Sequence, residues 1–314
     1  MNLLGRDSLL DIVKGSVMTL TLFLAFTTIP AAGLFPGIFI PLPAIYFSLK
    51  RGRATGAAIV AISAAVLGIM ADGITIAIYL VQGGVLALVL PYFLAEGKGA
   101  ARSLAYAVAV NLALIIALAV VYGVVREVNL DQQILKGIET SIAQTAALYE
   151  KAGLKGEELA TLKEGLTAAG QQMGQVYPAM MIISVIAVAG LNLLVLARLS
   201  SRLPEPPAIG PFRDFKNPEP LVWVLIAAGF ALLVPDGATA RIALNILIVT
   251  VFMYFLQGLA AVLHYFARAS TPQFLKVIFY ILLLIQPYLV IGLALIGIFD
   301  IWGNFRTPKQ RENL

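Results

Sequence analysis

REVNLDQQILKGIETSIAQTAALYEKAGLKGEELATLKEGLTAAGQQMGQVYP (126–178) is the one long polar stretch in a chain that is otherwise almost continuously apolar. Its pattern predicts two helices. Asn129 is a suitable N-cap, and Leu130, Ile134, Ile138 and Ile142 recur at i+4 behind it. Gly153 is a helix stop, and a second helix follows with Leu159, Leu162 and Leu166. Each helix carries a thin apolar stripe, enough to pack against the other. Connections this long are as a rule functional or disordered. This one is patterned, which reads as a lid or docking element; the plainer reading is a solvated spacer.

Outward from the hairpin the chain is written for lipid. It has 314 residues, 60% hydrophobic and 12% charged, where soluble domains run near a quarter charged. A spanning helix needs about 20 apolar residues. Five apolar segments precede the hairpin (15–33, 35–49, 56–71, 74–95 and 103–125) and four follow it (179–199, 221–235, 242–267 and 276–300). The Pro-rich basic linker SSRLPEPPAIGPFRDFKNPEP (200–220) interrupts the second group. This gives three parts: a membrane core over 1–200 that contains the hairpin, a cytoplasmic linker over 201–220, and C-terminal membrane helices with a short tail over 221–314. The N-terminus does not read as a signal peptide, because MNLLGRDSLLDIVK carries two Asp residues, although Ala31-Ala32-Gly33 mimics a cleavage site.

Lys and Arg at the short loops set orientation. With the N-terminus inside, thirteen lie on the inner side: Arg6, Lys14, Lys50, Arg51, Arg53, Lys98, Arg102, Arg198, Arg202, Arg213, Lys216, Arg268 and Lys276. Four lie outside: Arg241 and the tail residues Arg306, Lys309 and Arg311. The hairpin is then outside. The basic tail is the misfit, and a re-entrant segment two, seven or nine (broken at Pro287) would return it inside. The net charge of +5 therefore belongs to topology and not to nucleic acid.

The chemistry available is narrow. The chain has no Cys and one His, which removes disulfides, thiol nucleophiles and histidine metal clusters. No cofactor, metal site or catalytic residue is expected, and the chain does not read as an enzyme. His264 has no nucleophile-elbow serine to work with. Charge inside the apolar segments is expected to be absent, with only Asp72 and Asp300 at their ends, which argues against a proton-driven pump. The candidate ligand-binding groups are neutral: Gln82, Asn111, Asn192, Gln257 and Gln286. Asn111 and Asn192 have similar depths, as do Gln257 and Gln286, so each pair can also serve as interhelical hydrogen bonds.

Segment five carries an alanine ridge, Ala101, Ala105, Ala109, Ala113 and Ala117, and segment three a shorter one, Ala57, Ala61 and Ala65. Small residues at this spacing let a second backbone approach, either within the fold or from a partner subunit. Asn111 points away from the ridge, so segment five is expected to be covered on both faces. Segment two, with Pro36, Pro41 and Pro43, is either a broken helix at a binding mouth or a simple short helix.

Four stretches carry a family resemblance: IPLPAIYFSLKRG (40–52), FRDFKNPEPLVW (212–223), QGLA (257–260) and GIFDIWGNFR (297–306). They resemble the YybS-like family of bacterial multi-pass membrane proteins, itself similar to the S components of energy-coupling-factor transporters. The resemblance implies an all-α polytopic membrane protein of the bacterial inner membrane. It would have a six-helix S-component-like core, an extracytoplasmic helical hairpin and about three C-terminal membrane helices. It implies binding of a small neutral or amphipathic molecule for uptake, with the alanine ridges docked on a coupling membrane subunit. No P-loop occurs here, so an ATPase would act in trans. The alternative is a membrane scaffold that docks other proteins through 126–178 and 201–220.

Overall fold

The computed structural model describes residues 5–29, 32–303 and 306. Ala31 and the tail residues Lys309 and Arg311 lie outside them. Among the described residues there is no strand. The helices are α1 (Arg6–Thr28), α2 (Leu34–Ile38), α3 (Leu42–Arg51), α4 (Arg53–Met70), α5 (Gly73–Tyr79), α6 (Val85–Ala95), α7 (Ala100–Arg126), α8 (Leu130–Lys151), α9 (Gly156–Leu199), α10 (Leu221–Ala231), α11 (Gly237–Arg268), α12 (Gln273–Ile285) and α13 (Tyr288–Gly303). Among the described residues six runs are long and apolar enough to cross a membrane: α1, α4, α5 with α6, α7, α9 and α11. The other three apolar segments are short or broken. Segment two is the pair α2 and α3, segment seven is the 11-residue α10, and segment nine is α12 and α13, bent by 111° at Gln286-Pro287.

Contacts group the chain into two compact units, residues 1–122 with 184–210, and residues 123–183 with 211–314. The first holds segments one to five and most of six. Its α1 is patterned for lipid. Asp11, Gly15, Ser16 and Thr19 are buried, while Leu9, Leu10, Val13, Val17 and Met18 are exposed. Apolar side chains gain nothing by leaving hydrocarbon, so the inward face is chosen by polarity and close fit. Asp11 binds Lys50 at 3.1 Å and Arg51 at 2.8 Å, fixing the start of α1 beside the end of α3. Gly52, at φ 111°, then reverses the chain into α4. Asp72 caps α5 by accepting from the Thr75 N–H at 2.9 Å. Between α5 and α6, Leu80–Gly84 forms one π-helical turn, where Gly83 and Gly84 are buried and a side chain on Gly83 would press on Ile40.

In the second unit, Asn129 caps α8 by accepting from the Gln132 N–H, and Gly153 ends the turn after it at φ 103°, as the sequence predicts. The second hairpin helix does not stop before segment six. It is the same helix, α9, 44 residues long with Pro178 inside it. Gly170 and Gly174 let α8 lie close, since side chains there would run into Ile142 and Leu135. Later, α11 and α13 pack in opposite chain directions, Gly258 against Leu293 and Gly297 against Tyr254, so near that a Cβ on either glycine would strike backbone.

Candidate functional site: a buried polar knot on α11

Three of the four quoted stretches meet beside the middle of α11. Asn217, from the linker, donates its N–H to Gln257 Oε1 at 3.0 Å and its Nδ2 to the Met253 carbonyl at 2.8 Å. Gln257 Nε2 donates to Asp300 Oδ2 at 3.0 Å. Arg306 returns to the same carboxylate at 2.8 Å and donates to the Gln257, Arg213 and Phe215 carbonyls. Asp300 is fully buried and Arg306 is 9% exposed. The expectation of an interior without charge is thus corrected. Asp300 ends an apolar run in sequence, but antiparallel packing sets it against mid-α11, where the guanidinium neutralises it. Gly258 and Gly297 let the two backbones touch, and that close crossing sets Gln257 within hydrogen-bonding reach of Asp300. Among the described residues, one oxygen each of Asp300 and Asn217, and the Tyr254 hydroxyl, have no hydrogen-bond partner. At the outer edge of this knot His264 Nδ1 lies 3.8 Å from Asp214. Among the described residues no group of three His, Cys, Asp or Glu is placed to hold a metal ion.

The other amides sit at helix breaks. The N–H of Leu42 turns to Phe39, and Asn192 Nδ2 supplies the Ile38 carbonyl instead, at 2.7 Å. Asn111 Nδ2 donates to the Val81 carbonyl inside the π turn at 3.0 Å. Gln82 is half-buried in that turn, and Gln286 is exposed at the α12–α13 break. Thus neither expected amide pair forms. Each buried amide is drawn to a carbonyl, side-chain carboxylate or N–H freed by irregular backbone, since in lipid an unmet backbone group costs several kcal/mol.

A second cluster was not foreseen in the sequence. Pro178 has no N–H, which leaves the Gly174 carbonyl without its helical donor. Arg241 Nη2 takes that place at 2.9 Å. Asn245 serves both ends of the next helical bond, accepting from the Ala179 N–H at 2.7 Å and donating to the Gln175 carbonyl at 2.8 Å. Arg241 also pairs with Asp131 in the first turn of α8 at 2.7 Å, and the Tyr177 hydroxyl donates to Asp131 at 2.8 Å. Hydrogen bonds from Arg241 first, then Tyr177, hold the Asp131 carboxyl below the usual carboxylate range. The signal was the proline in a helical pattern, with an Arg and an Asn one turn apart on a later helix.

The alanine ridges stay uncovered. Ala57, Ala61 and Ala65 of α4 are exposed, as are Ala101, Ala105, Ala109, Ala113 and Ala117 of α7. The expectation that segment five is covered on both faces is corrected: only the Asn111 side, with Ala107 and Val108, is buried.

A family model described as "Predicted membrane protein (DUF2232)" matches residues 17–301. The chain belongs to this family. The matched span runs through the hairpin and through Asn217, Gln257 and Asp300. The chain is similar to the protein called "Uncharacterized protein YybS" of Bacillus subtilis (strain 168), 23% identical over 313 residues, covering 95% of this chain and 98% of that one. No solved structure matches.

Proposed function

We propose that this chain is a non-enzymatic, S-component-like protein of the bacterial inner membrane. It binds a small neutral or amphipathic molecule for uptake, and a separate coupling subunit and ATPase drive it. One observation carries this reading. Most of the first six segments, residues 1–122 with 184–210, form a compact unit of their own, with its two alanine ridges bare. Bare small-residue faces suit a second membrane protein better than lipid alone, because backbone approach is what they allow. The N-terminus is inside and 126–178 outside in this reading, following the basic residues. The test places photo-crosslinking side chains at Ala109 and Ala113 in cells. Capture of a membrane subunit, abolished by Ala105→Leu with Ala117→Leu while the monomer's melting is unchanged, supports the reading. Capture that survives both leucines overturns it.

A second reading, a scaffold that docks proteins through the hairpin and linker, is favoured by a groove of about 710 Å³ between α8 and α9. Leu135, Ile138, Ile142 and Ala146 are among the residues lining it, and Glu139, Glu150 and Lys163 are on its rim. Deleting 130–174 separates the two. A changed partner set supports the scaffold, and an unchanged one removes it. Single cysteines at 140, 208 and 312 in this Cys-free chain, probed with an impermeant reagent, test the orientation.

A further inference from the structure

The buried face of α1 carries more polarity than packing needs. Ser16 and Thr19 lie on it, 4% and 1% exposed, and Ser63 of α4 is fully buried. Among the described residues, none of their three hydroxyl oxygens has a hydrogen-bond partner. Serine and threonine in helices commonly return their hydroxyl to the carbonyl one turn back, and Thr21, Thr27 and Thr28 of the same α1 do so. The three buried hydroxyls do not make this bond.

They are also brought together. The bonds from Asp11 to Lys50 and Arg51 set the start of α1 beside the start of α4. Gly15 then rests on Ile59, where a Cβ would stand 2.9 Å from the Ile59 Cγ1. The two helices thus run in the same direction. Thr19, one turn past Gly15, comes level with Ser63, one turn past Ile59, and Ser16 lies one turn before Thr19. Tyr79 closes the far side. It is 1% exposed, its ring meets Phe23 edge-on at 5.7 Å, and its hydroxyl group lies beside that of Ser63.

We propose that the α1–α4–α5 seam is a binding site for a small uncharged molecule that both donates and accepts hydrogen bonds, held by Ser16, Thr19, Ser63 and Tyr79. A buried hydroxyl without a partner bears its whole desolvation cost, so three on one seam point to a partner that is not protein. Hydroxyls offer donor and acceptor alike and carry no charge. Such a lining recognises an alcohol or amide and gives an ion no counter-charge, since Asp11 is already engaged by Lys50 and Arg51. The site rests on the uptake reading for its purpose, and names the substrate class that reading leaves open.

The test uses the full-length chain in membranes, with Ser16→Cys, Thr19→Cys and Ser63→Cys made separately. Ile59→Cys and Leu67→Cys, buried and apolar on the same helix, serve as references. The probe is methyl methanethiosulfonate, small and neutral. Each hydroxyl position should react at least about tenfold faster than both references, and molar glycerol should slow the reaction where equimolar sodium chloride does not. Rates within twofold of the references at Thr19 and Ser63 overturn the site, as does protection by salt instead of glycerol. The three chains are near-isosteric and lie on two helices, so a folding failure in one leaves the comparison intact. If the cysteines are inert while crosslinking through Ala109 persists, the site falls and the uptake reading stands. If they react while the leucine variants change nothing, the site stands and the uptake reading falls.

Discussion

Replacing Gly258 with Ala tests the α11–α13 crossing directly. The new methyl would overlap the Leu293 carbonyl oxygen outright and stand 2.7 Å from its carbon. Carbon contacts settle at about 3.5–4.0 Å, so the helices must part by about 1 Å or more. Backbone cannot swing aside as a side chain can, which puts the overpacking cost near the upper end of about 1–3 kcal/mol. The same separation stretches the 3.0 Å bond between Gln257 and Asp300, and losing a hydrogen bond to a charged group costs about 1.5–3 kcal/mol. Together the loss is roughly 4–6 kcal/mol, equivalent to a fall in melting temperature of roughly 10 °C for a chain of this size. Gly292→Ala is the paired control, because it lies on α13, the other helix of the crossing, with open space around it. There the helix should gain about 0.5–1 kcal/mol. The assay is thermal unfolding of the detergent-solubilised protein, followed by far-UV circular dichroism. If Gly258→Ala melts with Gly292→Ala, the helices are not in backbone contact and the account of the knot is wrong.

Arg306→Ala, which strands a buried carboxylate, should cost about 3–5 kcal/mol, whereas Arg306→Met with Asp300→Leu should recover most of it; chemical denaturation ranks the two, and equal losses would refute an ion-pair role. Asn245→Ala should raise amide hydrogen exchange at 174–179 by tenfold or more, since about 1.4 kcal/mol is a tenfold change, without altering exchange at the Gly153 turn. Because Asp131 has its carboxyl pKa depressed in the folded chain, its contribution is present above the unfolded value of about 3.9 and is lost as pH falls through the lower folded one. Exchange at 129–135 should therefore rise below about pH 4, and Asp131→Asn should remove that pH dependence. Asn111→Leu should destabilise by about 1–3 kcal/mol, from the unmet Val81 carbonyl; unaltered melting would show that the π turn does not need it.

Much of the helical order was legible because hydropathy, caps and glycine stops are local. Asn129, Gly153 and the polarity of 126–178 sufficed to draw the hairpin. What local reading could not supply was pairing across distance. Asn111 and Asn192 suggested each other by depth, but the π turn and the proline break offered carbonyls that needed them more. Asp300 looked peripheral because depth was counted along one segment, while the Gly258–Gly297 contact determines what stands opposite it. Pro178 reads as the hairpin's end, although a proline inside a helix is tolerated once Arg241 and Asn245 supply the missing partners. The alanine ridges illustrate the converse. Their spacing was plain, but whether a ridge is covered depends on which face the rest of the fold takes, and here it takes the Asn111 side.

The π turn at Leu80–Gly84 has a consequence for the length of the chain. A turn of this kind holds one residue more than an α-helical turn over the same rise. Removing one residue there would restore regular winding and leave the faces of α5 and α6 in register. The same deletion in α4 or α7 would rotate everything beyond it by about 100°. Relatives one residue shorter at this point are thus expected to keep the whole of the α6 interface, and to have no use for an amide at the position of Asn111.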